Sequence, residues 1–230
     1  MYTEKVDEHA HSYDQYCPIA HALDLVGDRW ALLIVRDLVM GPKRFTDLRG
    51  GLPGLGTNIL TARLKGMERR GVVARRALPY PAAATVYELT AYGRRLGTVL
   101  DALARWGGET LGPPRPGQAV SPDSVMLSVD ALFRARARVV PSMTCTVHVD
   151  APALYATVGV QVEDGTVRVS RDAPEHPDVT LQTDIETLVG VVGGHPSLRE
   201  AVRRGAVQLD GDSTAIAALV ADDPVVGVVA

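Results

Sequence analysis

Between Lys43 and Arg76 the chain sets nine Lys and Arg against only Asp47 and Glu68. Cationic side chains of this kind neutralise phosphate, and a positive field confined to one segment draws a polyanion to that segment. Inside it, Thr57, Asn58, Thr61, Arg63 and Lys65 fall on a stretch with helical spacing. Asn and Arg can each make two hydrogen bonds to an adenine or guanine edge, and Thr and Lys can serve a base edge or a phosphate. Lys43 and Arg44 ahead of this stretch, and Arg75 and Arg76 behind it, are candidate contacts to the sugar–phosphate backbone. The chemistry these residues predict is recognition of double-stranded DNA. The plainer alternative is a solvated charged surface, which is what most charge runs are.

The elements that would position these residues decide between the two. Ile19, Leu23 and Val26 recur at helical spacing behind Pro18, and Gly27 marks a stop. Asp28 is a candidate cap for a second helix with the stripe Trp30, Leu33, Ile34 and Leu38, ended by Gly41-Pro42. A short helix starting near Thr46 follows, and Gly50-Gly51-Leu52-Pro53-Gly54 is a turn. The next helix, over 57–70, buries Leu60, Leu64 and Met67 and ends at Gly71. Its exposed arc then centres on Asn58, Thr61, Ala62 and Lys65, with Thr57 and Arg63 at the margins. Val72-Val73 and Val86-Tyr87 predict two strands of a hairpin whose extended tip holds Pro79-Tyr80-Pro81. Thr90 opens a helix carrying Leu96, Val99, Leu100, Leu103 and Trp106. Helix, short helix, polar-faced helix and charged hairpin in that order predict a winged helix-turn-helix.

The run GPPRPG divides the chain, because prolines and glycines at this density make a semi-rigid exposed connector. The predicted organisation is a flexible arm over 1–14, a DNA-binding and dimerisation domain over 15–110, a linker over 111–119 and a second domain over 120–230. Beyond the linker, Ser121-Pro122 reads as a helix cap, with Val125, Met126, Val129, Leu132 and Phe133 on one face. The period then changes to that of strands, through Glu163-Asp164-Gly165 as a hairpin turn and Val179-Thr180-Leu181. Helical spacing returns behind Asp184, with short helices near Leu198 and Ile216. The expected fold class is therefore α+β, the second domain having a mainly antiparallel sheet.

Charge follows the same division. Residues 1–112 hold 15 basic and 12 acidic side chains, and residues 113–230 hold 9 and 15. Phosphate repels an acidic second domain, which is expected to face away from DNA or to serve another task. Cys17 and Cys145 are too few for a disulfide framework and lack zinc spacing, and no apolar run reaches signal-peptide or membrane-spanning form. A cytoplasmic protein without membrane association, metal or cofactor is expected. His148, His176 and His195 lack ligand spacing or a nucleophile partner, and the Asp residues sit mostly at turns, so no enzyme is expected.

Residues 17–107 closely resemble the HxlR-type winged-helix regulators, relatives of the MarR group. The resemblance rests on CPIAHALDLVGDRWALLIVRDLVMGPKRFTDL, LPGLGTNILTARLKGMERRGVV and VYELTAYGRRL, with LARWG at its end. It implies a homodimer on an inverted-repeat operator, a recognition helix over 57–67 and a wing over 75–85. Where family members often start that helix with Ser, this chain has Gly56 and then Thr57, which leaves the cap open. Some members use the Cys of the Cys-Pro pair, here Cys17, to sense oxidants or electrophiles. The alternative for Cys17 is an ordinary small apolar residue.

More weakly, residues 121–223 resemble the sterol carrier protein type 2 fold. That resemblance rests on EDGTVRVS, HPDVTLQTD and GGHPSLREAVRRGAVQLDGD. It implies helices over a curved sheet and an apolar cavity, whose lining here could include Met126, Phe133, Leu188 and Val192, each equally fit for ordinary core. A small apolar effector is the partner this implies; a lipid-carrier-like or dimer-aiding module is the alternative.

Overall fold

The computed structural model describes residues 12–80 and 83–221. Most of the expected N-terminal arm, and Pro81 of the expected hairpin tip, lie outside the described residues. The chain divides into two compact units, Met1–Gly97 and Thr98–Ala230.

In the first unit, α1 (Pro18–Val26) has Cys17 at its N-cap and Pro18 in its first turn, where a missing N–H leaves no bond unmade. Asp24 on this helix accepts hydrogen bonds from Ser12 Oγ and the Tyr13 backbone N–H, both at 3.0 Å, which ties back the end of the arm. Helix α2 (Ala31–Val39) buries Ala31, Ile34, Val35, Asp37 and Leu38. Leu33, expected in that stripe, lies at its exposed edge. Nor does the Asp28 side chain cap α2: its carbonyl accepts from the Ala31 N–H, while its carboxylate turns to Arg63.

Strand β1 (Lys43–Arg44) is too short to show a periodicity in sequence. Helix α3 (Phe45–Gly51) starts in the expected neighbourhood of Thr46, where the Arg44 backbone N–H donates to the Asp47 carboxylate at 2.9 Å. Helix α4 (Thr57–Arg69) buries Leu60, Leu64, Gly66 and Met67, and its N-cap is Gly56 without a side-chain cap. It ends at Gly71, whose φ of +68° suits a residue without Cβ. There the Gly71 N–H bonds to the Glu68 carbonyl and the Val72 N–H to that of Met67, a Schellman closure.

Strands β2 (Val73–Ala77) and β3 (Thr85–Leu89) pair antiparallel from Val73↔Leu89 to Ala77↔Thr85. β1 adds to the other side of β3, giving the order β1-β3-β2. The helix predicted after Thr90 is broken into α5 (Ala91–Arg94) and α6 (Leu96–Gly108). The Thr90 hydroxyl donates to the Gly71 carbonyl at 2.6 Å and accepts from the Gly93 N–H at 3.0 Å. A Cβ on Gly93 would stand 2.1 Å from the Val72 carbonyl oxygen, so this close approach of α5 to the hairpin base requires glycine.

The second unit takes α6 from Thr98 onward, together with α7 (Pro122–Arg134), strands β4 (Met143–Ala151), β5 (Leu154–Glu163), β6 (Thr166–Ser170) and β7 (Val179–Asp184), helices α8 (Ile185–Val192) and α9 (Leu198–Arg203), β8 (Val207–Gly211) and α10 (Ser213–Leu219). The sheet order is β6-β5-β4-β7-β8, with β4 and β7 parallel and the other three pairs antiparallel. Helix α7 packs on β5 and β6, and α8 on β4 and β7, so apolar residues at alternate strand positions are buried beneath them. Joining β6 to β7 requires a crossing over β5 and β4. That segment passes Gly159, where a Cβ would meet the Asp172 carbonyl oxygen at 2.2 Å.

Ser121 and Asp184, the expected caps, accept from the backbone N–H groups of Ser124 and Thr187; Ser197 and Asp212 do the same for α9 and α10. Within the predicted linker, Arg115 and Gln118 close a local turn through the Gln118 N–H and the Arg115 carbonyl at 2.9 Å. Burial pushes the Asp130 carboxyl above the usual range, against Arg134 at 2.5 Å, and Asp101 on α6 adds to the rise. The stability tied to this proton is full at acid pH and is lost as pH rises through the raised value.

Candidate nucleic-acid interface

Helix α4 is held from one side only. Leu60 and Leu64 are buried, while Thr57, Asn58, Ile59, Ala62, Lys65 and Arg69 are exposed and Thr61 is half-buried. The amphipathic pattern does this: one side chain in each turn pays for the helix by burial, and the remainder are free to face a ligand. The Thr61 hydroxyl donates to the Thr57 carbonyl at 2.9 Å, within the helix itself.

Arg63 is placed differently from its neighbours. Its guanidinium meets the Asp28 carboxylate at 2.6 Å, which pins α4 to the turn between α1 and α2. Of the expected base-facing residues, Thr61 bonds within its own helix, whereas Arg63 is tied to another element.

The three-stranded sheet brings together residues that the sequence keeps more than a full helix apart. Arg75, Tyr87 and Lys43 form one cross-strand row, and Arg76, Val86 and Arg44 form the next. Outer strands in such a sheet are roughly 10 Å apart and successive positions face opposite ways, so Lys43 and Arg75 share one face and Arg44 and Arg76 the other. Arg44, Arg75 and Arg76 are exposed and Lys43 is half-buried. Glu88 pairs with Arg76 at 3.0 Å and offsets part of that charge. Such a surface can position a phosphate backbone but carries no base code of its own.

The residues expected to line an effector cavity sit in the second unit. Met126, Phe133 and Leu188 are buried and Val192 is half-buried. A depression lined by Gln161, Glu163, Asp164, Thr166 and Arg168 is polar and includes none of them. Cys17 is half-buried at the start of α1, whereas Cys145 is buried and its thiol is pushed up by burial to about 12. Among the described residues, no three His, Cys, Asp or Glu are grouped to hold a metal, and no helix is long and apolar enough to cross a membrane.

Sequence reasoning missed Ile59, which is 45 % exposed in the first turn of α4. It fits neither the buried stripe nor a list of hydrogen-bonding types, and only its angular position on the helix could have marked it. β1 was missed as well, and with it the reason that Lys43 and Arg44 stand beside the hairpin.

Residues 25–114 match the model of the HxlR-like helix-turn-helix family. The HTH-type transcriptional regulator YvaP of Bacillus subtilis is 35 % identical over 100 residues, covering 43 % of this chain and 93 % of that protein. The regulator sll1512 of Synechocystis is 38 % identical over 95 residues, covering 41 % of this chain and 70 % of that one. Among solved structures, the redox regulator HypR in its oxidized form is 29 % identical, with a TM-score of 0.39, covering 41 % of this chain and 97 % of that chain. The family match ends at residue 114. The chain belongs to the HxlR-like helix-turn-helix family of transcriptional regulators.

Proposed function

We propose that the protein is a homodimer that binds an inverted-repeat operator, with α4 of each copy in the major groove and the β1-β3-β2 sheet on the flanking backbone. The exposure of Thr57, Asn58 and Lys65 on a helix whose opposite face is packed is the observation that carries this reading. Thr61 completes the reading face; Lys43, Arg44, Arg75 and Arg76 supply backbone contacts, and Arg63 acts through its hold on Asp28. The working limits are 15–110 for DNA binding and dimerisation, 111–119 for the linker and 120–230 for the second domain.

Dimerisation is supported by apolar side chains left in water. On α6, Val99, Leu103 and Trp106 stand at i, i+4 and i+7, with Trp106 74 % exposed. On α1, Ile19 is 72 % exposed and Leu23 follows four residues on. Stripes of this kind are what an isologous interface covers.

The second domain, in this proposal, has a sterol-carrier-like fold and couples a small apolar effector to DNA binding. Met126, Phe133, Leu188 and Val192 lie in the helix-on-sheet layer where an apolar guest would enter. The effector acts only so far as it prefers one arrangement of the dimer over another.

The test is selection from random duplexes by purified full-length protein. An enriched inverted repeat, bound more weakly as salt rises, is expected; no enrichment, or binding indifferent to salt, would defeat the reading. On the enriched duplex, Asn58→Ala is expected to cost on the order of 1–3 kcal/mol in specific binding and little in binding to random DNA.

A second reading, a redox switch through Cys17, is favoured by the half-buried position of that thiol at a helix N-cap. Under mild oxidant the wild type is then expected to release the operator and Cys17→Ser to hold it. Cys145, protonated far above neutral pH, is not expected to react. Equal release by both proteins, or by neither, would remove this reading.

A further inference from the structure

The exposed surface of α4 is split into two lanes. Asn58, Thr61 and Lys65 form a polar lane, while Ile59 and Ala62, three residues apart and therefore adjacent on the helix, form an apolar one. Beyond the apolar lane stands Arg63, whose guanidinium is taken by Asp28 at 2.6 Å. Burying Ile59 against another part of the fold would have been the ordinary outcome for a β-branched residue, yet it is 45 % exposed.

We propose that the Ile59–Ala62 lane reads a thymine 5-methyl group, and that each half-site therefore carries a thymine under the first turn of α4. The inference rests on the proposed seating of α4 in the major groove. In that groove the thymine methyl is the one apolar feature of any base edge, and short apolar side chains are its usual contacts. The first turn of a recognition helix lies deepest against the bases, which is where Ile59 stands. Lys65, exposed three residues beyond Ala62, stands beside the lane, so a polyanion is the partner whose charge complements its surroundings. With Arg63 held by Asp28, the base code at this end of α4 shifts from guanine toward A·T pairs, adenine through Asn58 and thymine through Ile59.

The probe is the duplex that the full-length protein enriches, remade with uracil at each thymine in turn, which deletes only the methyl. Uracil at the contacted position of one half-site is expected to weaken wild-type binding about fourfold, the worth of one buried methyl, and uracil at that position in both half-sites about sixteenfold. Ile59→Ala, which loses the contact in both copies, is expected to bind the thymine duplex about as weakly as the wild type binds the doubly substituted one and to be blind to uracil at that position. As Ile59 contributes little to the core, its thermal midpoint should match the wild type. Half-sites without thymine, no uracil effect at any position, or an equal uracil effect in wild type and Ile59→Ala would overturn the inference. If Asn58→Ala still loses specific binding in that case, the seating of α4 survives; if nothing is enriched at all, both fail.

Discussion

Leu103→Glu combined with Trp106→Glu is expected to turn the protein into a monomer and to lower its affinity for an inverted repeat about a hundredfold or more. Both side chains are exposed, Leu103 at 42 % and Trp106 at 74 %, so the substitutions remove little core packing from the chain that carries them. In a two-fold interface each new carboxylate faces its own copy, so two substitutions place four like charges in one apolar contact. The effect on DNA is large because a dimer engages its second half-site at an effective concentration far above that of a free monomer, which is worth 10²–10⁴ in avidity. Sedimentation equilibrium reads the first effect, and fluorescence anisotropy on full and half operators reads the second. A half-site duplex should be bound almost equally by variant and wild type. If the variant stays dimeric, α6 is not the interface; if the wild type is itself monomeric, the inverted-repeat reading goes with it.

The first domain was legible in sequence because its signals are local. Leu60, Leu64 and Met67 repeat at the period of a helix, and Gly71 stands where a Schellman closure needs positive φ. The stretches that resemble the HxlR-type regulators run in order through the same elements, and the family match covers residues 25–114. What stayed hidden depended on contacts between distant residues. Nothing near Lys43 shows that two residues there will pair with Val86 and Tyr87, because a two-residue strand has no period. Asp28 satisfied every local rule for a helix cap, yet a guanidinium 35 residues away competes better for its carboxylate. Thr90 shows the converse. Its capping role could be read from type and place, whereas the break between α5 and α6 could not.

The placement of α6 marks the limit of composition as a guide to domains. The densest Pro and Gly run begins after it, but the helix from Thr98 onward groups with the second unit. Asp101 on this helix acts on Asp130 of α7 through space, which is one physical link. A helix with one buried residue in 13 is weakly owned by its own chain. That is the condition under which a second copy can claim it, and it joins the dimer proposal to the coupling proposal through one element.

Phe133→Ala is expected to cost about 3–5 kcal/mol in the stability of the second unit, the range for emptying a fully buried aromatic site. Phe133 has no exposed surface and lies on α7, which packs on β5, β6 and α8. Hydrogen exchange resolved by residue isolates the effect, since amides of β4, β5 and β7 should lose protection while those of α4 keep theirs. A loss under about 1 kcal/mol would mean that the layer between α7 and the sheet is loose. The same variant tests the effector proposal, because it opens apolar volume in the layer where Met126 and Leu188 also lie. A long-chain fatty acid that binds the native state raises the unfolding midpoint in proportion to RT ln(1 + [L]/Kd). If that layer takes an apolar guest, the acid should stabilise the wild type, and the shift should change in Phe133→Ala. Stabilisation of neither protein by fatty acids of several chain lengths would leave Phe133 as core alone.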